Sequence, residues 1–231
     1  MNILGSSNSL KPLRDWLFDR NRVLKPRSLI TWNNLEFYFQ APLQILRKAR
    51  INGIENSLTK SILRIINKDS HIIDIGSNYG FITLACSSYV RNGKGIVFSI
   101  ECDTSCYKNL ESSVTKNGLN NIQLYNEFVG DQINRDMKTV DSLIYSKCEN
   151  IDVIKIDTDG TDLECLKGCA QIMKEFHPVI VIEINNNFDQ IVKYLREMGY
   201  GYFYDQFLRK VDHKINNNIP NLFGSKDDLK I

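Results

Sequence analysis

The stretch His71-Ile72-Ile73-Asp74-Ile75-Gly76-Ser77-Asn78-Tyr79-Gly80-Phe81 decides how the rest of the chain is read. A short apolar run breaks into a loop with two glycines, and a helical pattern starts near Phe81. A strand covered by helices on both faces reads as such a run, because neither face meets water. Glycines at its end let the backbone approach a ligand, and the helix N-terminus that follows offers unpaired N–H groups to a carboxylate or phosphate. In open α/β sheets ligands sit outside the carboxyl ends of the strands. The spacing is Gly-x-x-x-Gly, not the Gly-x-Gly-x-x-Gly of dinucleotide folds, so a plain strand-to-helix turn is the competing reading.

Working outward, the same alternation repeats. Apolar runs occur at 95–100, 122–125, 151–156 and 179–184, with helical patterns near 105–117, 162–176 and 188–198. Strands alternating with helices imply parallel pairing and right-handed crossovers, hence an α/β fold. Upstream, residues 57–67 read as a helix with Leu58, Ile62, Ile65 and Ile66 on one face and Ser57 as N-cap. Leu35, Phe37 and Phe39 alternate with polar neighbours and suggest a short strand ended by Pro42. Downstream, 200–204 and 207–211 read as a closing pair of strands, and the polar stretch from 212 as a loosely ordered tail. The division expected is therefore an N-terminal appendage over 1–55, a main domain over 56–211 and a tail over 212–231.

Charge and cysteine use exclude several classes. The 231-residue chain carries a formal +2, which argues against a dedicated nucleic-acid binder. Residues 1–60 nevertheless hold ten Lys/Arg against four Asp/Glu. That surplus is either a solvated basic face or a guide for an anionic partner. Nothing approaches the ~18 apolar residues of a membrane span, and the first residues lack the charged and apolar regions of a signal peptide. The six cysteines form no Cys-x-x-Cys pair, so reduced thiols in the cytoplasm are the default.

Four further acids stand where ligands bind. Glu101, in Ser99-Ile100-Glu101-Cys102-Asp103, ends strand two, where an acid can accept hydrogen bonds from both ribose hydroxyls. Asp157 and Asp159, in Lys155-Ile156-Asp157-Thr158-Asp159-Gly160-Thr161-Asp162, end strand four. Glu183 ends the run Val-Ile-Val-Ile-Glu, and a carboxylate so placed has a raised pKa unless paired, with Lys155 the candidate partner. Crowded carboxylates need a ligand, a cation or a proton to relieve them; the competing reading is a capped helix start. None of His71, His177 and His213 falls clearly at a strand's carboxyl end. Trp32, Phe37, Tyr38 and Phe39 read as core, with sugar stacking by Trp32 the alternative.

In this order, Asp74–Gly80, Glu101-Cys102, Val140-Asp141 and the block from Lys155 to Gly168 resemble the FkbM-type methyltransferase family. Its pattern is roughly Asp-x-Gly-Ala-Asn-x-Gly, Glu-Pro, Leu-Asp and Lys-x-Asp-x-Glu-Gly-x-Glu-x-x-x-Leu-x-Gly. The resemblance covers about residues 55–185. Ser77 stands for Ala, Cys102 for Pro, and Asp159 and Asp162 for Glu, each acid one methylene shorter. The segment 131–139 is short for the family, which opens the site nearby. The resemblance implies a Rossmann-like class I methyltransferase sheet, mostly parallel and seven-stranded, and S-adenosylmethionine as methyl donor. It places the donor against Asp74, Gly76, Ser77, Asn78, Tyr79, Gly80, Phe81, Glu101, Cys102 and Asp157. It implies a hydroxyl acceptor on a small molecule or glycan, anionic if the basic surplus guides it. Asp157 is then the first candidate base and Glu183 the second; were a divalent cation used, Asp157, Asp159 and Glu183 would ligate it. A nicotinamide-dependent dehydrogenase and a non-catalytic glycan-binding protein are the alternatives.

Overall fold

A computed structural model describes residues 27–185, 187–211 and 219–230. The basic residues up to Lys25, His213 and the first part of the expected tail lie outside them. Seven strands form one sheet: β3 (Ile72–Ile75), β4 (Val97–Ile100), β5 (Ile122–Tyr125), β6 (Val153–Ile156), β7 (Val179–Glu183), β8 (Tyr202–Tyr204) and β9 (Asn221–Ser225). Their order is β5-β4-β3-β6-β7-β9-β8. Pairing is parallel from β5 to β7, and β9 runs antiparallel to both its neighbours. The mostly parallel, seven-stranded Rossmann-like sheet expected from the sequence is the observed one.

Every residue of β3, β4 and β6 is buried, because helices cover both faces. Alternation sends Ile72 and Val153 to one apolar cluster and Ile73, Ile75, Ile154 and Ile156 to the other. On the first face, Ser99, Asp74 and Lys155 stand side by side across β4, β3 and β6. That polar row is covered by α3 (Phe81–Val90), a helix buried on nearly all sides.

The reason α3 has no wet face lies upstream. Strands β1 (Arg27–Trp32) and β2 (Leu35–Gln40) form an antiparallel hairpin closed by Asn33 and Asn34, both in left-handed backbone. Trp32, Phe37 and Phe39 surround Phe81 edge-on, at centroid distances of 5.5, 5.5 and 5.7 Å. The described part of the expected appendage thus shares the main core. Trp32 is core rather than a stacking platform: it is 8% exposed, and its indole N–H donates to Asn52 O and Asn56 Oδ1. Helix α1 (Leu43–Asn52) follows the hairpin, and α2 (Asn56–Ile65) leads into β3.

Two expectations need correction. The helix expected over 162–176 is two, α6 (Asp162–Lys167) and α7 (Ala170–Phe176). The break comes at Gly168, where a Cβ would lie 2.1 Å from Gly130 O. The Asp141 carboxylate, in α5 (Val140–Ile144), accepts from Gln171 N and Ile172 N and so caps the second piece. The other error concerns the closing strand. Residues 207–211 pair with β8 only as an antiparallel bridge, Lys210 against Tyr204 with Val211 N donating to Phe203 O at 2.9 Å, and form no strand, because Asp205 accepts from Phe207 N and Arg209 N and curls the chain into a turn. The partner of β8 is β9, from the region read as a polar tail, and Leu222 and Phe223 are fully buried there.

Helix α4 (Thr104–Asn117) starts at Asp103, whose side chain accepts from Cys106 N, and ends at Gly118 in left-handed backbone. Helix α8 (Phe188–Glu197) lies between β7 and β8 in the chain. Among the described residues no helix is long and apolar enough to cross a membrane.

Candidate active site

A cavity of about 560 Å³ opens across the carboxyl ends of β4, β3, β6 and β7. Its floor is the glycine loop. Gly76 N and Ser77 N donate to Ile100 O at 3.0 and 3.2 Å, and Gly80 N to Ser77 O at 2.8 Å. Gly76, Asn78 and Gly80 all have positive φ. A Cβ on Gly76 would lie 1.8 Å from Asp157 O. The glycine therefore lets two strand ends touch, and it also lines the cavity. Gly76→Val should cost at least ~2 kcal/mol of stability through backbone strain and clash; a melting temperature equal to wild type would refute this.

Glu101 is almost buried, and both its carboxylate oxygens are engaged. Asn78 N donates to Oε2 at 2.6 Å and Asp103 N to Oε1 at 2.7 Å. The acid thus ties the glycine loop to the start of α4 and still presents lone pairs to the cavity. Asn126 clamps the next loop by donating to Glu101 O at 2.7 Å and Cys102 O at 3.2 Å.

Lys155 is the hub of the β6 side. Its Nζ lies 3.3 Å from Asp74 Oδ1 and 3.4 Å from Asp157 Oδ2, and donates to Gly76 O at 3.0 Å. Burial works against its charge, yet Asp74, Asp157 and Glu55 outweigh that and hold its pKa above the ordinary lysine value. Thr83 Oγ1 donates to Asp74 Oδ2 at 2.6 Å. Asp74 is thereby consumed inside the fold and, alone among the residues expected to contact the donor, does not line the cavity. Gly76, Ser77, Asn78, Tyr79, Gly80, Phe81, Glu101, Cys102 and Asp157 all line it, as do Asp159 and Glu183.

The acids at the far end differ in their surroundings. Glu183 is not paired with Lys155, contrary to the expected ion pair; its hydrogen-bond donor is Asn185 Nδ2 at 3.0 Å. Burial, then the neighbouring Asp157 charge, push Glu183 up to about 7. Asp159 sits at the rim in left-handed backbone. Carboxylate oxygens of Asp157, Asp159 and Glu183 lie within 4.8 Å of one another, so the three could share a divalent cation. Asp162 points inward, accepting from Thr158 N and Thr158 Oγ1, and so shapes the loop that carries Asp159.

Three sets of lining residues were missed from the sequence. Glu127, Phe128 and Val129 follow β5 and could have been found by the rule that sites gather at strand ends. Phe39 comes from the hairpin. Lys48 and Glu55 come from α1 and the loop after it, and no sequence signal pointed to them. No histidine lines the cavity among the described residues. His71 Nδ1 lies 3.1 Å from Asn150 O, and His177 ends α7 in exposed left-handed backbone.

Known proteins share this fold. The profile of the methyltransferase FkbM domain matches residues 110–202, which carry Asp157, Asp159 and Glu183. Among solved structures, a methyltransferase FkbM from Methylobacillus flagellatus KT matches with 18% identity over 69% of this chain, at a TM-score of 0.56. The match spans only 44% of that chain. M. jannaschii TYW2, solved in complex with AdoMet, matches with 14% identity over 87% of this chain and 86% of its own, TM-score 0.52. A precorrin-6y C5,15-methyltransferase from Geobacter metallireducens GS-15 matches with 17% identity over 75% and 87%, TM-score 0.50. At such identities the structures establish the fold alone. No curated protein matches the chain.

The sheet order, with the cavity at its carboxyl end, is the Rossmann-like fold of the methyltransferases it matches. Within that fold the chain is similar to the FkbM-type methyltransferases over residues 110–202, the part that carries Asp157, Asp159 and Glu183.

Proposed function

We propose that the chain transfers a methyl group from S-adenosylmethionine to a hydroxyl of a small molecule or glycan, with Glu183 as the base. One observation carries this reading: a single cavity runs from Glu101, at the β4 end, to the Asp157–Glu183 pair at the β6 and β7 ends. Its volume lies within the ~300–1,000 Å³ usual for small-molecule sites. The donor set fits S-adenosylmethionine, with an acid for a ribose diol at Glu101 and apolar walls at Phe128 and Val129 for a base. S-adenosylmethionine supplies an electrophilic methyl group when bound.

The residues do the remaining work. The glycine loop and Glu101 fix the donor's position, and the Asp157 end holds the acceptor oxygen in line with it. Such orientation supplies roughly 7–11 kcal/mol of barrier reduction. A base works best when its pKa lies near the working pH, and Glu183 meets that condition. The carboxylate of Asp157 is already shared with the Lys155 ammonium, which suits it to orienting the acceptor. The acceptor end is lined by Asp157, Asp159 and Glu183, so a neutral hydroxyl compound fits it better than an anionic one. The same three acids favour a second reading in which a divalent cation binds the acceptor oxygen. The six free thiols accord with a reducing, cytoplasmic setting.

Calorimetry with S-adenosylhomocysteine and with NAD tests the donor, since the dehydrogenase alternative requires the second. Methyl transfer to a panel of neutral and acidic sugars tests the acceptor, and donor binding with no transfer to any hydroxyl compound would favour a non-catalytic role. Glu101→Gln should weaken S-adenosylhomocysteine by about 1.5–3 kcal/mol, the range for hydrogen bonds to charged groups. Unchanged affinity in that variant would remove Glu101 from the donor site.

A further inference from the structure

The segment between α1 and α2 contributes a carboxylate that the FkbM match at 110–202 does not include. Glu55 lines the cavity from the loop between α1 and α2. Its backbone is left-handed, with φ 46° and ψ 48°, a conformation that costs a residue with a long side chain free energy. The loop is held there from both sides. Trp32 donates to Asn52 O at 3.2 Å and to Asn56 Oδ1 at 3.1 Å, bracketing residues 53–55. Gly53 packs so tightly under the indole that a Cβ would lie 2.4 Å from its Nε1. Glu55 O accepts from Thr59 N at 2.8 Å and so anchors the first turn of α2.

Among the described residues no hydrogen bond holds the side chain that this strained, pinned loop presents, although its charge helps keep Lys155 protonated. The Glu55 carboxylate accepts no hydrogen bond from any described residue. Solvent reaches it through the open cavity, yet the walls crowd it. Burial chiefly raises its pKa, Lys155 and Lys48 oppose that, and Asp157 and Asp74 add to it. An incoming cation would relieve such a group.

Sheet order says which part of a ligand arrives there. A nucleoside anchored at β4 by Glu101 would extend its substituent past β3 toward β6, where Glu55 lies close enough to Asp157 to feel its charge. We propose that Glu55 binds the α-ammonium group of the donor's amino-acid end. The assignment rests on S-adenosylmethionine being the donor. It makes the loop over 53–55, the end of the expected N-terminal appendage, part of the donor site.

Two probes isolate the contact. S-adenosylhomocysteine carries the amino-acid end, and 5′-methylthioadenosine has the same nucleoside without it. Titration calorimetry of Glu55→Gln should show S-adenosylhomocysteine weakened roughly 10- to 100-fold, with methylthioadenosine within twofold of wild type. Glu55→Gly should behave the same and melt no lower than wild type, because glycine accepts left-handed backbone without strain. S-adenosylhomocysteine affinity within twofold of wild type in both variants would overturn the proposal. Equal weakening of both probes would also overturn it, by showing that Glu55 acts only through loop shape. A wild type that binds neither probe would instead refute the donor itself.

Discussion

Glu183→Gln should lower turnover by roughly 10²–10⁴-fold, about 3–5 kcal/mol, with donor affinity kept within a few-fold. Wild-type turnover should climb as pH rises through about 7, because Glu183 must lose its proton to act as a base. The same group should make the fold pH-sensitive in the opposite sense. In the unfolded chain its carboxyl ionises near the ordinary 4.5, whereas in the fold it holds its proton up to about 7. Between these values the unfolded state binds fewer protons, so this group's contribution to stability declines as pH rises. Glu183→Gln removes that penalty and should melt higher than wild type at pH 8, and similarly to it near pH 4. Water still reaches the carboxyl, so the gain should be modest: a few degrees, the response to about 1 kcal/mol in a domain of this size. Turnover that survives in Glu183→Gln but collapses in Asp157→Asn would return the base to Asp157. Wild-type activity silenced by a chelator and restored by a divalent cation would favour the metal reading, and indifference to chelator would end it.

Lys155→Met should cost about 3–5 kcal/mol of stability, since it strands Asp74 inside the fold with its compensating charge removed. Urea unfolding is the measurement, with wild type and variant compared at pH 7. Lys155→Met combined with Asp74→Asn should recover part of the loss, because the buried charge is then gone with its partner. A double variant as unstable as the sum of the single ones would show that the pair is not coupled and that the arrangement around Gly76 O matters more. Donor binding should fall in the single variant as well, since Lys155 ties the glycine loop to the β6 end.

The sequence was most readable where one interaction dominates. Strands β3, β4, β6 and β7 are apolar but for Asp74, Ser99, Lys155 and Glu183 because both faces are covered, and that pattern revealed the parallel sheet and the glycine loop. The hairpin was half seen. Leu35, Phe37 and Phe39 announced β2, whereas β1 depended on recognising Asn33-Asn34 as a tight turn with two left-handed residues. Strand β9 was missed because only Leu222 and Phe223 are apolar, between Pro220 and Gly224, and a partner strand decides its state rather than its own composition. The acids at the strand ends were found by position, but their division of labour was not. Asp74 and Lys155 are register neighbours in adjacent strands far apart in sequence, and their pairing is what leaves Glu183 without a cation. Glu55 was invisible because its importance comes from a loop pinned by Trp32, a contact between residues that no periodicity links.

The position of β9 also sets an order of events during synthesis. Strand β7, Val179-Ile180-Val181-Ile182-Glu183, can pair with β6 as soon as it leaves the ribosome, but its other edge must wait for residues 221–225. Until then a run of four β-branched apolar residues offers unsatisfied backbone groups to any neighbouring chain. The nascent protein is therefore most exposed to self-association in that interval, and a ribosomal pause between β8 and β9 would lengthen it.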